Sequence, residues 1–164
     1  MRKDKSEQGW ILGELVIICS VLVVVSSMMI PKIYTLYQMA AIEYETEHLL
    51  RELRTLQVLS RTADYNTDNA EGRRKLDQRP YLLLEDSDYK LMRGVNDVYT
   101  YHYLPGVHVS VDGSTLKNGI GFDKDGSVKG GLLTINVFAE TDLSIKHKIR
   151  IDLGGRIRIE RGHE

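Results

Sequence analysis

Two groups of charged residues in this chain have types and spacing that could do chemistry. The first is a single carboxylate. Glu14 is the only charged residue in the 21 residues from Trp10 to Ile30. A carboxylate near one end of a membrane helix costs roughly 2–3 kcal/mol unless it is neutralised or paired. Glu14 therefore either snorkels to the interface or pairs with a specific cation. The second group is the tail. From Lys146 to Glu164 there are six basic side chains (Lys146, Lys148, Arg150, Arg156, Arg158, Arg161) against Asp152, Glu160 and Glu164, a net of +3. Ile149, Ile151 and Leu153 alternate with Arg150 and Asp152, while Ile157 and Ile159 alternate with Arg156, Arg158 and Glu160. Such alternation buries one face and turns the other to water. Arg156 and Arg158 on that outer face, with Lys146, Lys148 and Arg150 nearby, could hold a phosphate backbone. A merely solvated sheet face is the competing reading.

Other candidate chemistry is weaker. Asp123-Lys124-Asp125-Gly126 suggests a calcium loop, but an EF-hand beginning at Asp123 needs a glutamate where Thr134 stands. A tight β-turn is expected instead. His102 and His108 could be neighbours in a hairpin, yet two histidines lack the further ligands a zinc site requires. The lone cysteine, Cys19, lies in the apolar run and reads as a packing residue. With no phosphate-binding glycine loop and no nucleophile motif, the expectation is a non-enzyme without metal or cofactor.

The elements that must position these groups follow from the pattern. The 164 residues and near-zero net charge of −1 suit one ordinary domain and announce no global affinity for nucleic acid. The Trp10–Ile30 run is about 30 Å long as a helix, the thickness of a hydrocarbon core. Arg2, Lys3 and Lys5 precede it and keep that flank cytoplasmic, and no small-residue cleavage site follows it. Pro31 predicts a kink near Ser27–Pro31. Beyond it, residues 31–63 continue as an amphipathic helix. Its apolar stripe is Ile33, Leu36, Tyr37, Ala40 and Tyr44, then Leu49, Leu53, Leu56 and Leu59, facing the head. Glu43, Glu45, Glu47, Arg51, Glu52, Arg54 and Arg61 occupy the other positions.

Residues 64–79 read as a loop, and residues 80–164 as a β-rich head. Its short runs are Tyr81–Leu84, Tyr89–Met92, Val98–Tyr103, Val107–Val111, Leu132–Phe138, Lys148–Leu153 and Arg156–Glu160. Turn signals at Asp112-Gly113, Asn118-Gly119, Asp125-Gly126 and Gly130-Gly131 separate them. The fold class is α+β: one long N-terminal helix followed by a head of two small antiparallel sheets. In the last hairpin, a two-residue loop would set Arg156 beside Leu153, on the apolar face. A three-residue loop, Leu153 to Gly155, aligns Asp152 with Arg156 and Ile151 with Ile157, and is preferred, with a glycine supplying the positive φ.

The segment Gly9-Trp10-Ile11-Leu12-Gly13-Glu14-Leu15, after a short polar leader (residues 1–9), resembles the class III signal of type IV pilins and pseudopilins. Trp10 stands where that family usually has phenylalanine. The resemblance implies cleavage after Gly9 by a prepilin peptidase and methylation of the new amino terminus at Trp10. It makes Glu14 and Pro31 assembly residues, with Glu14 pairing with a neighbouring subunit's terminal amine. The C-terminal half resembles the GspH/FimT-type minor pseudopilins at Leu50–Arg61, Ile120–Gly126, Gly130-Gly131 and Ile149–Arg158. The spacing from phenylalanine to paired glycines and the closing GGRIRIER look most like ComGD-type competence minor pilins. In FimT-like minor pilins a C-terminal G-R-x-R is associated with DNA binding; it maps here onto Gly155, Arg156 and Arg158.

What the resemblance implies is a minor subunit of a type IV-like competence pilus that takes up DNA. Its partners would be other major and minor pilins, the prepilin peptidase, the inner-membrane assembly platform, DNA, and membrane lipid before assembly. It would sit once across the bacterial cytoplasmic membrane, head outside, and move to a cell-surface filament. A type II secretion pseudopilus is the alternative. A membrane-anchored module that never polymerises is a third reading, disfavoured because it has no use for Glu14.

Overall fold

A computed structural model of the chain describes residues 5–62, 79–93, 96–112, 119–140 and 145–163. The chain divides into two units, Met1–Tyr37 and Gln38–Glu164. Helix α1 runs from Lys5 to Thr62 and supplies residues to both. Residues 1–4 of the expected leader, the expected loop up to residue 78, and the turn signals within residues 113–118 lie outside the described residues.

In the first unit every residue from Trp10 to Tyr37 is exposed, including fifteen consecutive positions from Ile11 to Val25 that hold only Gly13, Glu14, Cys19 and Ser20 as smaller or polar residues. By length and composition this helix can cross a membrane. The helix continues through Pro31. Proline lacks the N–H that would bond the Ser27 carbonyl. Hydroxyls flank that gap: Ser27 Oγ donates to the Val24 carbonyl (2.8 Å) and Thr35 Oγ1 to the Pro31 carbonyl (3.1 Å).

The second unit is built from eight strands: β1 (Pro80–Leu84), β2 (Asp88–Arg93), β3 (Asn96–His102), β4 (Val107–Asp112), β5 (Ile120–Gly121), β6 (Leu133–Ala139), β7 (Ile145–Ile151) and β8 (Ile157–His163). They form two four-stranded sheets, β3-β2-β1-β5 and β4-β6-β7-β8, and every strand pair is antiparallel. The α+β class with a long N-terminal helix and a two-sheet head is therefore present. β5, a two-residue strand, is one the sequence pattern did not mark, because its pairing with Tyr81 and Leu82 is too short to show a period.

Alternation works as the residue types require. Along β6, Leu133, Ile135, Val137 and Ala139 are buried and the residues between them are not. Ile149 and Ile151 of β7 join them, facing Leu49, Leu53 and Leu56 of α1, with Leu82, Tyr89, Ile120 and Phe122 completing the core. Burying each such Ile, Leu or Phe side chain contributes about 1.5–3 kcal/mol.

The helix stripe differs from the one expected. Leu49, Leu53 and Leu56 are buried, but Ile33, Leu36, Tyr37, Ala40, Tyr44 and Leu59 are exposed. The buried face instead runs Gln38, Ala41, Ile42, Glu45, Thr46, Leu49, Leu53, Leu56 and Ser60. These positions keep helical spacing, but three of the first five carry polar groups that the sequence assigns to water. The structure gives two of them partners, although Glu45 Oε2 has none among the described residues. Glu45 Oε1, in a residue with no exposed surface, accepts from Tyr101 Oη (3.2 Å) and the Leu104 amide (2.9 Å). Thr46 Oγ1 donates to the Ile42 carbonyl (2.7 Å).

Candidate functional site

The last hairpin adopts the three-residue register. Ile151 pairs with Ile157, the Asp152 amide donates to the Arg156 carbonyl (3.0 Å), and the Gly155 amide donates to the Asp152 carbonyl (2.8 Å). Gly155 has φ +75. A Cβ there would also lie 1.7 Å from the Gly126 carbonyl oxygen, so the glycine is required twice over. Gln57 of α1 fixes this end of the head, its Nε2 donating to the carbonyls of Gly126 (2.8 Å) and Gly155 (2.9 Å). The glycine of G-R-x-R is thus explained by packing alone.

This register sets the cations. Cross-strand pairs Lys146↔Gly162, Lys148↔Glu160 and Arg150↔Arg158 place Lys146, Lys148, Arg150 and Arg158 on one face, opposite to buried His147, Ile149 and Ile151. Arg156, opposite Asp152, extends the same face. All five expected residues are brought together. Acids share the face with them. Arg150 pairs with Glu160 (3.0 Å) and Arg158 with Asp152 (3.4 Å), each partner roughly half exposed. Among the described residues, Lys146, Lys148 and Arg156 have no ion pair.

Arg161 leaves this face. It sits on the inner side and binds Glu43 (2.6 Å) and Glu47 (3.1 Å) of α1, and the Glu43 carboxylate holds its guanidinium more firmly protonated. Buried His147 lies beside it, 3.5 Å from Glu43 Oε2 and 3.4 Å from Thr46 Oγ1. Of the six tail cations, this one serves the fold.

None of the acidic residues Glu85, Asp86 and Asp88 is on β7 or β8. Glu85 is paired with Lys90 (2.9 Å), which holds its carboxyl below the usual value. Asp86 binds His108 Nδ1 (3.0 Å) on β4, and Asp88 faces His102 (3.6 Å) on the other sheet. In the order β4-β6-β7-β8, His108, which Asp86 binds, is in register with Phe138 and Lys146, so about 10 Å of sheet separates it from β7 and about 14 Å from β8. His102 and His108 therefore belong to different sheets, and no group of three or more His, Cys, Asp or Glu able to hold a metal occurs among the described residues. The Asp123–Gly126 segment is a tight turn: the Gly126 amide donates to the Asp123 carbonyl (2.9 Å), and the Asp123 carboxylate is held by Arg79.

Trp10 and Glu14 lie one helical turn apart on α1, both exposed, and Pro31 lies further along the same helix. Gly9 is helical and directly precedes Trp10.

One cluster escaped the sequence reading. Tyr44, His48, Tyr101 and Tyr89 form a column of rings with centroid separations of 6.1, 4.4 and 5.1 Å. Tyr99 and Tyr103 border it, and Tyr99 Oη donates to Glu52 (2.7 Å). The alternation Tyr99-x-Tyr101-x-Tyr103 is the signal that could have revealed it. Burial pushes the phenols of Tyr89, Tyr101 and Tyr103 well above the usual tyrosine range, so they remain neutral. The cluster docks α1 onto the first sheet.

In comparisons with known proteins, the chain matches no family model, no curated protein and no solved structure.

Proposed function

We propose that this chain is a minor subunit of a type IV pilin-like filament, of the competence type that takes up DNA. The observation that carries the reading is the exposed apolar helix of residues 10–37, whose only acid, Glu14, stands one turn from Trp10 behind a polar leader. A simple anchor gains nothing from a carboxylate in lipid. A subunit that polymerises through this helix gains a partner for a neighbour's amine, and the pair offsets two desolvation costs. In this reading prepilin peptidase cuts after Gly9 and methylates Trp10. The head stays outside the cytoplasmic membrane until the assembly platform adds the subunit to other pilins at the cell surface. The chain performs no catalysis of its own.

The DNA-uptake assignment draws on the five cations gathered on the outer face of β7 and β8. The secretion pseudopilus remains the second reading, favoured by one observation: Glu160 and Asp152 already occupy Arg150 and Arg158.

Glu14→Leu tests the assembly role. Membrane insertion should persist or improve, while the amount of subunit in sheared filaments should fall at least tenfold. Equal amounts of variant and wild type in the filament fraction would contradict the proposal.

A further inference from the structure

Resting on the DNA reading, we propose that the phosphate-contacting set of this face is Lys146, Lys148 and Arg156 alone, and that Asp152 and Glu160 keep Arg158 and Arg150 out of it. Arg150 and Arg158 are direct cross-strand partners. Like charges so placed repel, because directly opposed Cβ atoms are only about 5 Å apart. Each arginine is relieved by a carboxylate one diagonal step away: Glu160, which stands opposite Lys148, reaches Arg150, and Asp152, which stands opposite Arg156, reaches Arg158. The acids thus select the two arginines and leave Lys148 and Arg156 without ion pairs among the described residues.

A phosphodiester carries one negative charge, as a carboxylate does. Moving Arg150 or Arg158 from its tethered acid to a phosphate gains no charge neutralisation. It also strands a carboxylate beside the incoming backbone, where it repels. The two pairs therefore stay neutral when DNA approaches, and the remaining three cations contact it. Two acids placed this way act as determinants of affinity without touching the ligand.

Salt dependence counts the contacts, since each phosphate neutralised on duplex DNA contributes about −0.9 to the log–log slope. The full-length chain in detergent, titrated with fluorescent duplex DNA at a series of salt concentrations, should give a slope of about −2.7. Arg156→Ala should bring it to about −1.8, and the double variant Asp152→Asn, Glu160→Gln to about −4.5, with at least tenfold tighter binding at the lowest salt. The single variants Asp152→Asn and Glu160→Gln should each add about −0.9, which keeps the test open if the double variant fails to fold. A wild-type slope near −4.5, or slopes unchanged in the acid variants while wild type binds, overturns this inference and leaves the DNA reading standing. Binding by the acid variants alone would show that the three cations do not suffice, and would overturn this inference while leaving the DNA reading standing. Absence of binding by every form at the lowest salt overturns the DNA reading, and this inference with it.

Discussion

Arg150 and Arg158 face each other directly across β7 and β8, and each guanidinium reaches a carboxylate on the diagonal, Glu160 at 3.0 Å and Asp152 at 3.4 Å. The tail therefore holds cations of three kinds. Arg161 fastens the sheet to α1. Arg150 and Arg158 are balanced within the sheet. Lys146, Lys148 and Arg156 have no ion pair among the described residues. A count of basic residues merges these roles.

Gly155 should tolerate no side chain. Gly155→Ala would force a Cβ into the Gly126 carbonyl at a positive φ, against the Gln57 clip. The expected destabilisation is about 2–3 kcal/mol, from backbone strain plus displacement of the neighbouring turn. Thermal unfolding of the detergent-solubilised chain measures it. A change below about 0.5 kcal/mol would mean that the two turns do not pack as described.

Tyr103→Phe should be neutral or stabilising by about 1 kcal/mol. The Tyr103 hydroxyl is buried and has no hydrogen-bond partner among the described residues, so removing it lifts a desolvation cost. Tyr101→Phe should go the other way by a similar amount, because its hydroxyl donates to buried Glu45. The same unfolding assay on both variants decides this; loss of stability in Tyr103→Phe would reveal a partner for that hydroxyl.

The tyrosine column predicts an alkaline limit. The folded state raises the pKa of Tyr89, Tyr101 and Tyr103, chiefly through burial, so it binds their protons more tightly than the unfolded chain does. Their contribution is complete below the ordinary tyrosine pKa of about 10 and is lost as pH rises beyond it. Each such tyrosine adds a slope of about 1.4 kcal/mol per pH unit above that point. Phenolate absorbance followed with circular dichroism should show these groups ionising together with unfolding. Ionisation near pH 10 with the fold intact would contradict the burial.

Much of this was readable in the residues, for physical reasons that also mark where reading stopped. The β7–β8 register was legible because strict alternation leaves one choice that buries Ile151 against Ile157, and Gly155 supplies the turn. The outward face of Lys146, Lys148, Arg150, Arg156 and Arg158 followed from the same alternation. The buried helix face was misread because Glu45 and Thr46 look solvent-bound until Tyr101, the Leu104 amide and the Ile42 carbonyl are placed around them. Distant partners supply that satisfaction, and local periodicity cannot report it. Nor could a charge count foresee that Arg161 turns inward while Asp152 and Glu160 choose diagonal arginines, since both choices depend on pairing across strands.

The proposed function requires the exposed helix to be a processed assembly element. The most direct test is N-terminal sequencing with intact-mass measurement of the chain extracted from membranes of cells that contain a prepilin peptidase. The account predicts a mature chain beginning at N-methylated Trp10, with Glu14 as its fifth residue. A chain still beginning at Met1, or one beginning near Pro31, would contradict it.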